Sequence, residues 1–317
     1  MGKAFSTLLC ALATSASAQT YQPPRHNLPP PQLGQDTQAQ ADMGIDVERD
    51  RPAPWLLAEH RRLTATLAAL KPQRKGTVDA YVVVAGLDSD AVFGREAREA
   101  AKVLARRYAA DGRTILLAGS DGASDSAHPM GSPTTLALAL ARVAEVMDVN
   151  EDVLVLYTTS HGAPFGIYYN DGDQGYGAIS PTRLWQQLSA LGIRNRLIMV
   201  SACYSGVFVP LLSSDTTAIL TASSADRTSF GCQSDNDWTF FGDALVNTAL
   251  RRRVPLATAA TQAQALVAGW ERDAKLEPSQ PQVSIGAGAA AWLAALERDL
   301  PPDGARVGRA AIASLKK

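Results

Sequence analysis

Two short apolar runs that each end in a reactive type of residue constrain the fold of this chain most strongly. Residues 152–162 lead through an apolar stretch to His161, and residues 196–206 lead in the same way to Cys203. Continuous apolar runs of this length are typical of strands buried on both faces of a parallel sheet. Because ligands bind at the carboxyl ends of such strands, neighbouring strands would present the imidazole and the thiol together. A thiol beside a base predicts covalent cysteine chemistry, most simply peptide-bond hydrolysis.

Strand and helix patterns alternate along the centre of the chain. Strand-like runs occur at residues 78–86, 114–118, 152–162, 196–206 and 217–222, and amphipathic patterns separate most of them. This alternation predicts an α/β fold with a mostly parallel central sheet of about six strands and helices on both faces. With 317 residues, of which 46% are hydrophobic, the chain is long enough for one such domain and flanking segments.

The N-terminus has the pattern of a secretory signal peptide. Lys3 precedes an apolar stretch that ends in small residues, so residues 1–18 are expected to be removed by cleavage after Ala18. The protein is therefore expected to be exported, to the periplasm or out of the cell. The Pro- and Gln-rich residues 19–52 are predicted to be a linker or a removable leader. The folded domain is expected at residues 53–299, followed by a C-terminal tail at 300–317.

Charge and hydropathy argue against two classes of partner. The formal net charge is −1 and no block of like charge stands out, so no nucleic-acid-binding surface is indicated. No later apolar run reaches the ~18 residues that a membrane-spanning helix requires. Residues 170–177 alternate acidic residues with glycines, but they lack the full pattern of a calcium-binding loop, so a solvated turn is expected, with Asn170 as a candidate for self-cleavage.

Four separated motifs resemble the legumain family of cysteine peptidases, within the caspase-like clan. The matching residues are Ser160-His161-Gly162, Ser201-Ala202-Cys203, residues 221–232 followed by Gly242-Asp243, and Arg95 after Ala85-Gly86. The similarity extends over residues 78–250. It implies a caspase-like three-layer α/β/α sandwich, a peptide or protein substrate and no cofactor or metal.

The resemblance also assigns a role to each matching residue. Cys203 would be the nucleophile and His161 its acid and base, while the N–H groups of Gly162 and Cys203 would stabilise the developing oxyanion. A guanidinium and a carboxylate can together bind an asparagine amide, since one donates to its oxygen and the other accepts from its nitrogen. The family therefore implies cleavage after Asn, and after Asp at low pH. The residues of this pocket would be Arg95, Thr228, Ser229 and Asp243.

The sequence departs from the legumain pattern at one catalytic position. Phe93 stands where that family has an asparagine. Either Asp88 or Asp90 replaces this third member, or a dyad of His161 and Cys203 suffices.

Three alternatives stay open at this stage. The first is cleavage after basic residues, with Asp235, Asp237 or Asp243 facing the cation. The second is a transpeptidase or ligase, which would use the same residues and differ only in the acceptor. The third is a caspase-like peptide-binding protein without activity, in which Cys203 and Cys232, the two cysteines after the signal peptide, form a disulfide.

Overall fold

A six-stranded sheet forms the centre of the protein. The computed structural model describes residues 37–119, 126–172 and 174–316, and the side chains up to residue 313. The predicted signal peptide therefore lies outside the described residues. The strands are β1 (Asp46–Glu48), β2 (Ala80–Gly86), β3 (Thr114–Leu117), β4 (Val153–Thr159), β5 (Gly162–Ala163), β6 (Gly166–Asn170), β7 (Gly175–Ile179), β8 (Arg196–Ser201), β9 (Thr217–Thr221) and β10 (Gln282–Ile285).

The helices alternate with these strands. They are α1 (Thr37–Met43), α2 (Ala53–Ala68), α3 (Ala91–Arg107), α4 (Pro133–Val146), α5 (Pro181–Ala190), α6 (Val209–Leu212), α7 (Leu256–Asp273) and α8 (Ala289–Leu296). A π-helical segment (Gly242–Ala249) and two 3-10 helices (Ser205–Phe208 and Ala311–Lys316) complete the set. None of the described helices is both long enough and apolar enough to span a membrane.

The order of the central sheet is β10-β9-β8-β4-β2-β3. All neighbours pair in parallel except β10, which is antiparallel to β9. Alternate residues of the buried strands face opposite sides: Val82 and Val84 pack with α3 and α7, and Tyr81 and Val83 pack with α4 and α5. The predicted α/β/α sandwich with a mostly parallel sheet is confirmed.

A second, antiparallel sheet covers residues that the sequence pattern assigned to a turn. Its order is β1-β7-β6-β5. Asn170 ends β6 and is buried, and its backbone N–H donates to Leu87 O. The described part of residues 170–177 is therefore mostly strand rather than a solvated turn, and Asn170 is not accessible for self-cleavage.

Both predicted boundaries of the folded domain differ from the structure. Strand β1, within the predicted linker, pairs with β7, and Arg51 forms an ion pair with Asp171 at 2.6 Å. In the predicted tail, Val307 O accepts a hydrogen bond from Trp238 Nε1 at 3.0 Å. The linker and tail predictions failed there because amino-acid composition does not indicate a strand of only three residues. It also does not indicate a segment that has no regular structure and is held in place by side-chain contacts.

Candidate active site

Strand register brings the two predicted reactive residues to the same edge of the sheet. Strands β4 and β8 pair up to Thr159 and Ser201, and Ser160 N donates to Ser201 O at 3.2 Å. His161 and Cys203 each lie two residues beyond the end of their strand. A Cβ atom placed on Gly162 would lie 2.1 Å from Cys203 O, so the two chain segments touch at a point where only glycine fits.

The thiol of Cys203 lies half-buried against Ser229. Its Sγ accepts a hydrogen bond from the backbone N–H of Ser229 at 3.2 Å, and the Ser229 hydroxyl lies 3.6 Å away. The structure thus places Ser229, a predicted pocket residue, directly at the proposed nucleophile.

The backbone after Cys203 turns sharply. Tyr204 has a φ of 57°, in the left-handed region that residues with side chains rarely adopt, and its N–H donates to Arg227 O at 2.8 Å. Ser205 and Ser223 exchange hydrogen bonds between each backbone N–H and the other hydroxyl, both at 3.2 Å. These contacts fix the loop after β8 to the loop after β9 and so hold Cys203 at the sheet edge.

His161 carries the most strongly perturbed protonation equilibrium of the site. Burial opposes a charge on the imidazole, but hydrogen bonds to Asp90 and Cys232 and the charge of Asp88 outweigh it and raise the pKa of His161 to about 11. Its Nε2 lies 3.5 Å from Asp90 Oδ2. These interactions favour the imidazolium form of His161.

Of the two carboxylates that the sequence left open, Asp90 lies next to the imidazole of His161. Its Oδ1 accepts a hydrogen bond from Ser234 Oγ at 2.6 Å, and its N–H donates to Asp88 Oδ1 at 2.8 Å. Phe93, at the position of the legumain asparagine, instead packs edge-on against the imidazole with ring centroids 5.0 Å apart. A carboxylate that precedes α3 therefore orients His161, and Phe93 supports the ring by packing.

The imidazole interacts with a thiol that the sequence did not assign to the site. Among the hydrogen bonds of the described residues, none joins His161 to Cys203, whereas Cys232 interacts with the imidazole. Both cysteines are free and half-buried. Catalytic hydrogen bonds are often long without substrate, so this geometry does not remove Cys203 from its proposed role.

The imidazole of His161 and the two carboxylates beside it could also hold a cation. Donor atoms of Asp88, Asp90 and His161 all lie within 4.8 Å of one another. A cation would have to displace the proton of His161, whose binding these carboxylates already favour. That the site uses no metal stays a prediction.

The predicted pocket residues do not converge on one open pocket. Arg95 donates from Nε to Asn236 O at 3.2 Å and forms an ion pair with Asp237 at 3.5 Å, so it fixes the loop that also carries Ser234. Thr228 is exposed beside Ser229. None of the contacts between described residues joins Arg95 to Asp243.

Asp243 is fully buried and already has three partners. Its carboxylate accepts hydrogen bonds from Arg306 at 2.8 and 3.0 Å, from Asn247 Nδ2 at 2.8 Å and from Ala311 N at 2.9 Å. A substrate could reach Asp243 only after Arg306 moved. The sequence could not show this, because the partner comes from a segment predicted to be a tail.

Glu96 is a buried residue that the sequence analysis missed. Its carboxylate accepts hydrogen bonds from Tyr157 OH at 2.7 Å, Thr159 Oγ1 at 2.8 Å and Thr239 N at 2.8 Å. It thereby joins the end of β4 to the segment before the π-helical turn. The only signal available was its place beside Arg95, on the face of α3 that packs on the sheet.

Three comparisons with known proteins gave different results. No curated protein matches the chain significantly. Among solved structures, the crystal structure of caspase-1 from Spodoptera frugiperda aligns with a TM-score of 0.46 and 16% identity, covering 75% of this chain and 94% of that chain. Residues 137–268, which include His161, Cys203, Ser229 and Asp243, match the model of the peptidase C13 family. This match to the peptidase C13 family supports the resemblance for three of the four motifs, whereas the motif with Arg95 lies outside the matched residues.

Proposed function

We propose that this protein is a cysteine endopeptidase in which Cys203 is the nucleophile and His161 the proton carrier. One observation carries the proposal: β4 and β8 end in register, and Gly162 packs on the carbonyl group of Cys203. The N–H groups of Gly162 and Cys203 are the proposed donors to the oxyanion.

The reaction follows from the charges at the site. The Cys203 thiolate attacks the carbonyl carbon of the scissile peptide bond, and negative charge develops on the carbonyl oxygen. The C–N bond then breaks as the His161 imidazolium donates its proton to the leaving amine, which leaves a thioester on Cys203. A water molecule gives a proton to the now neutral His161 and attacks the thioester, which releases the acid and restores the thiolate.

Cys203 is preferred over Cys232 as the nucleophile because of its backbone surroundings. Its thiol accepts the Ser229 N–H, and the residue after it has the left-handed conformation that turns the chain away from the sheet edge. Replacement by alanine tests the assignment. We expect Cys203→Ala to lose at least about 1,000-fold in kcat/KM on a peptide substrate, and Cys232→Ala to keep activity within about tenfold.

We further propose a preference for Asn before the cleaved bond, with Asp accepted at low pH. This preference rests on the legumain resemblance of Arg95, Ser229 and Asp243. Peptides that differ only at this residue test it: Asn should be cleaved fastest, and Asp cleavage should rise as the pH falls because its carboxyl group is then protonated. Equal rates for Asn, Ala and Arg would contradict the preference.

One contact favours the alternative of cleavage after basic residues. The carboxylate of Asp243 already binds a guanidinium, that of Arg306. Replacement of Arg95 by alanine separates the two preferences. It should reduce cleavage after Asn by about tenfold or more if Arg95 binds the amide oxygen, and it should leave or improve cleavage after Arg.

The remaining alternatives differ in measurable products. A transpeptidase or ligase would transfer the acyl group to an added amine, which raises the product mass. A peptide-binding protein with a Cys203–Cys232 disulfide would show no free thiol in the denatured, unreduced mature protein, whereas both thiols are free in the structure.

Export is also a proposal, based on the pattern of residues 1–18. Expression of the full chain in a bacterial host with an export pathway tests it. The mature protein should begin at Gln19, as read by N-terminal sequencing, and an intact Met1 in the exported fraction would contradict the proposed cleavage site.

A further inference from the structure

A large cavity opens at the carboxyl ends of β2 and β3, close to His161. Its volume is about 710 Å³, within the range of about 300–1,000 Å³ that is typical of ligand pockets. Asp88 lines it and lies within 4.8 Å of the imidazole and of Asp90, measured between donor atoms. Other lining residues come from α2, from the segment before α4 and from the end of β6: Trp55, Ala58, Glu59, Met130 and Tyr169.

The order of the sheet places this cavity on one side of the reactive pair. Along the carboxyl edge, Cys203 follows β8 and contacts Ser229 from the loop after β9, His161 follows β4, and the cavity lies at β2 and β3. In the proposed reaction His161 donates its proton to the leaving amine, so the leaving half of the substrate lies on the side of His161. The peptide beyond the cleaved bond is thereby directed toward the cavity.

Three of the charged groups in the wall, Glu59, Arg62 and Asp171, form ion pairs. Glu59 accepts two hydrogen bonds from Arg62 at 2.7 and 3.1 Å and a third from Met130 N at 2.6 Å. Asp171 forms an ion pair with Arg51, whose guanidinium also lies 4.4 Å from the ring of Trp55. Burial of apolar surface is therefore expected to supply most of the binding free energy of a ligand, and a large apolar group buries the most surface.

We propose that this cavity binds the leaving half of the substrate and selects a large apolar or aromatic side chain within the first residues after the cleaved bond. The inference rests on the proposed peptidase function. Helix α2 forms one wall and lies outside residues 137–268, so this selectivity would belong to the N-terminal part of this chain rather than to the matched region.

A matched pair of variants on α2 tests the assignment. Ala58→Phe fills the cavity from its wall, whereas Leu57→Phe adds an aromatic ring at a neighbouring position that is 50% exposed and does not line the cavity. Two substrates share one acyl half: a peptide with Leu-Phe after the cleaved bond, and a methyl ester, whose leaving group is too small to reach the cavity.

Ala58→Phe should lower kcat/KM for the peptide by about tenfold, because the substrate then loses the burial of one large apolar side chain. It should leave the hydrolysis of the ester unchanged. Leu57→Phe should change neither. Equal effects of Ala58→Phe on both substrates, or no effect on either, would overturn the inference while leaving the peptidase function intact.

A second measurement does not depend on turnover. The Cys203→Ala protein is titrated with a pentapeptide amide that begins Leu-Phe, in competition with one that begins Gly-Ser. We expect the Leu-Phe peptide to bind more tightly, and the added Ala58→Phe change to weaken it by about tenfold. Absence of binding, or equal binding of both peptides to both proteins, would reject the cavity assignment. If the peptides bind as expected but the parent protein, with Cys203 intact, does not cleave peptides, the peptidase function alone is rejected.

Discussion

The two halves of the candidate site are held in different ways. His161 and Cys203 each lie two residues beyond the end of a paired strand, so backbone register fixes their relative position. Arg95 and Asp243 instead depend on loop and tail contacts, since Arg95 binds the loop at Asn236 and Asp243 binds Arg306. The positions of the reactive residues therefore depend on the sheet. The positions of Arg95 and Asp243 depend on loops and on the C-terminal segment, so a change in those segments can alter them.

The largest effect that separates the halves is expected from Gly162→Ala. The added Cβ would lie 2.1 Å from Cys203 O and force the two strand ends apart. Because this displaces a proposed oxyanion donor, we expect kcat/KM to fall by about 100-fold or more. Gly269→Ala in α7, where the nearest atom is 3.8 Å away, is the matched control and should keep full activity.

Thermal unfolding distinguishes a local effect from loss of the fold. A Gly162→Ala protein with an unfolding temperature near that of the parent and full activity would contradict the idea that the register positions the site. A folded protein with low activity would support it.

Replacement of Asp90 by asparagine should have the next largest effect. The hydrogen bond to Asp90 helps raise the pKa of His161 to about 11, so the imidazolium form now persists until the pH rises through that value. Without the carboxylate the pKa falls toward its usual value of about 6.5, and the proton is lost at lower pH. We expect kcat/KM at neutral pH to fall by about tenfold and its alkaline limb to move to lower pH.

The pH profile is the decisive readout for this variant. Asp111→Asn, an exposed carboxylate, is the charge control and should leave the alkaline limb in place. An unchanged limb in Asp90→Asn would show that Asp90 does not orient or charge His161.

The smallest effect on catalysis is expected from Arg306→Ala. Removal of the guanidinium leaves the buried Asp243 with two of its partners. This should lower the free energy of unfolding by about 1–3 kcal/mol. We expect a value in the lower part of this range because the Arg306 side chain is 46% exposed to solvent. Activity on Asn peptides should stay within about threefold. Chemical denaturation measures the first effect and peptide kinetics the second.

This variant also sharpens the comparison between the halves. A large rise in cleavage after Arg or Asn in Arg306→Ala would mean that the tail blocks a functional pocket at Asp243. A stability loss alone would mean that Asp243 serves the fold.

The sequence predicted the parts of the molecule that depend on local patterns. Strands β2, β3, β4, β8 and β9 appear where apolar runs occur, and both reactive residues end such runs. The pattern did not reveal β10, whose residues are all exposed or partly exposed, or β1, which is too short to show a period. It reached Asp90 only as one of two candidates, because the choice between Asp88 and Asp90 depends on the turn before α3.

Long-range contacts account for what the sequence could not give. The proximity of Cys232 to His161 depends on the path of the loop after β9, and the pairing of Asp243 with Arg306 joins residues far apart in the chain. Nothing in the local pattern of either residue specifies its partner. Asp243 lies within the residues that match the family model, but a motif cannot show that its carboxylate is already bound.

The most direct test of the central claim is covalent labelling of the active site. The mature protein is treated at neutral pH with a thiol-directed electrophilic peptide that carries Asn at the recognition position, and the adduct is located by mass spectrometry after digestion. The account predicts one adduct, on Cys203, that disappears in Cys203→Ala and is slowed in Asp90→Asn. An adduct on Cys232, or none on a protein with both thiols free, would contradict it.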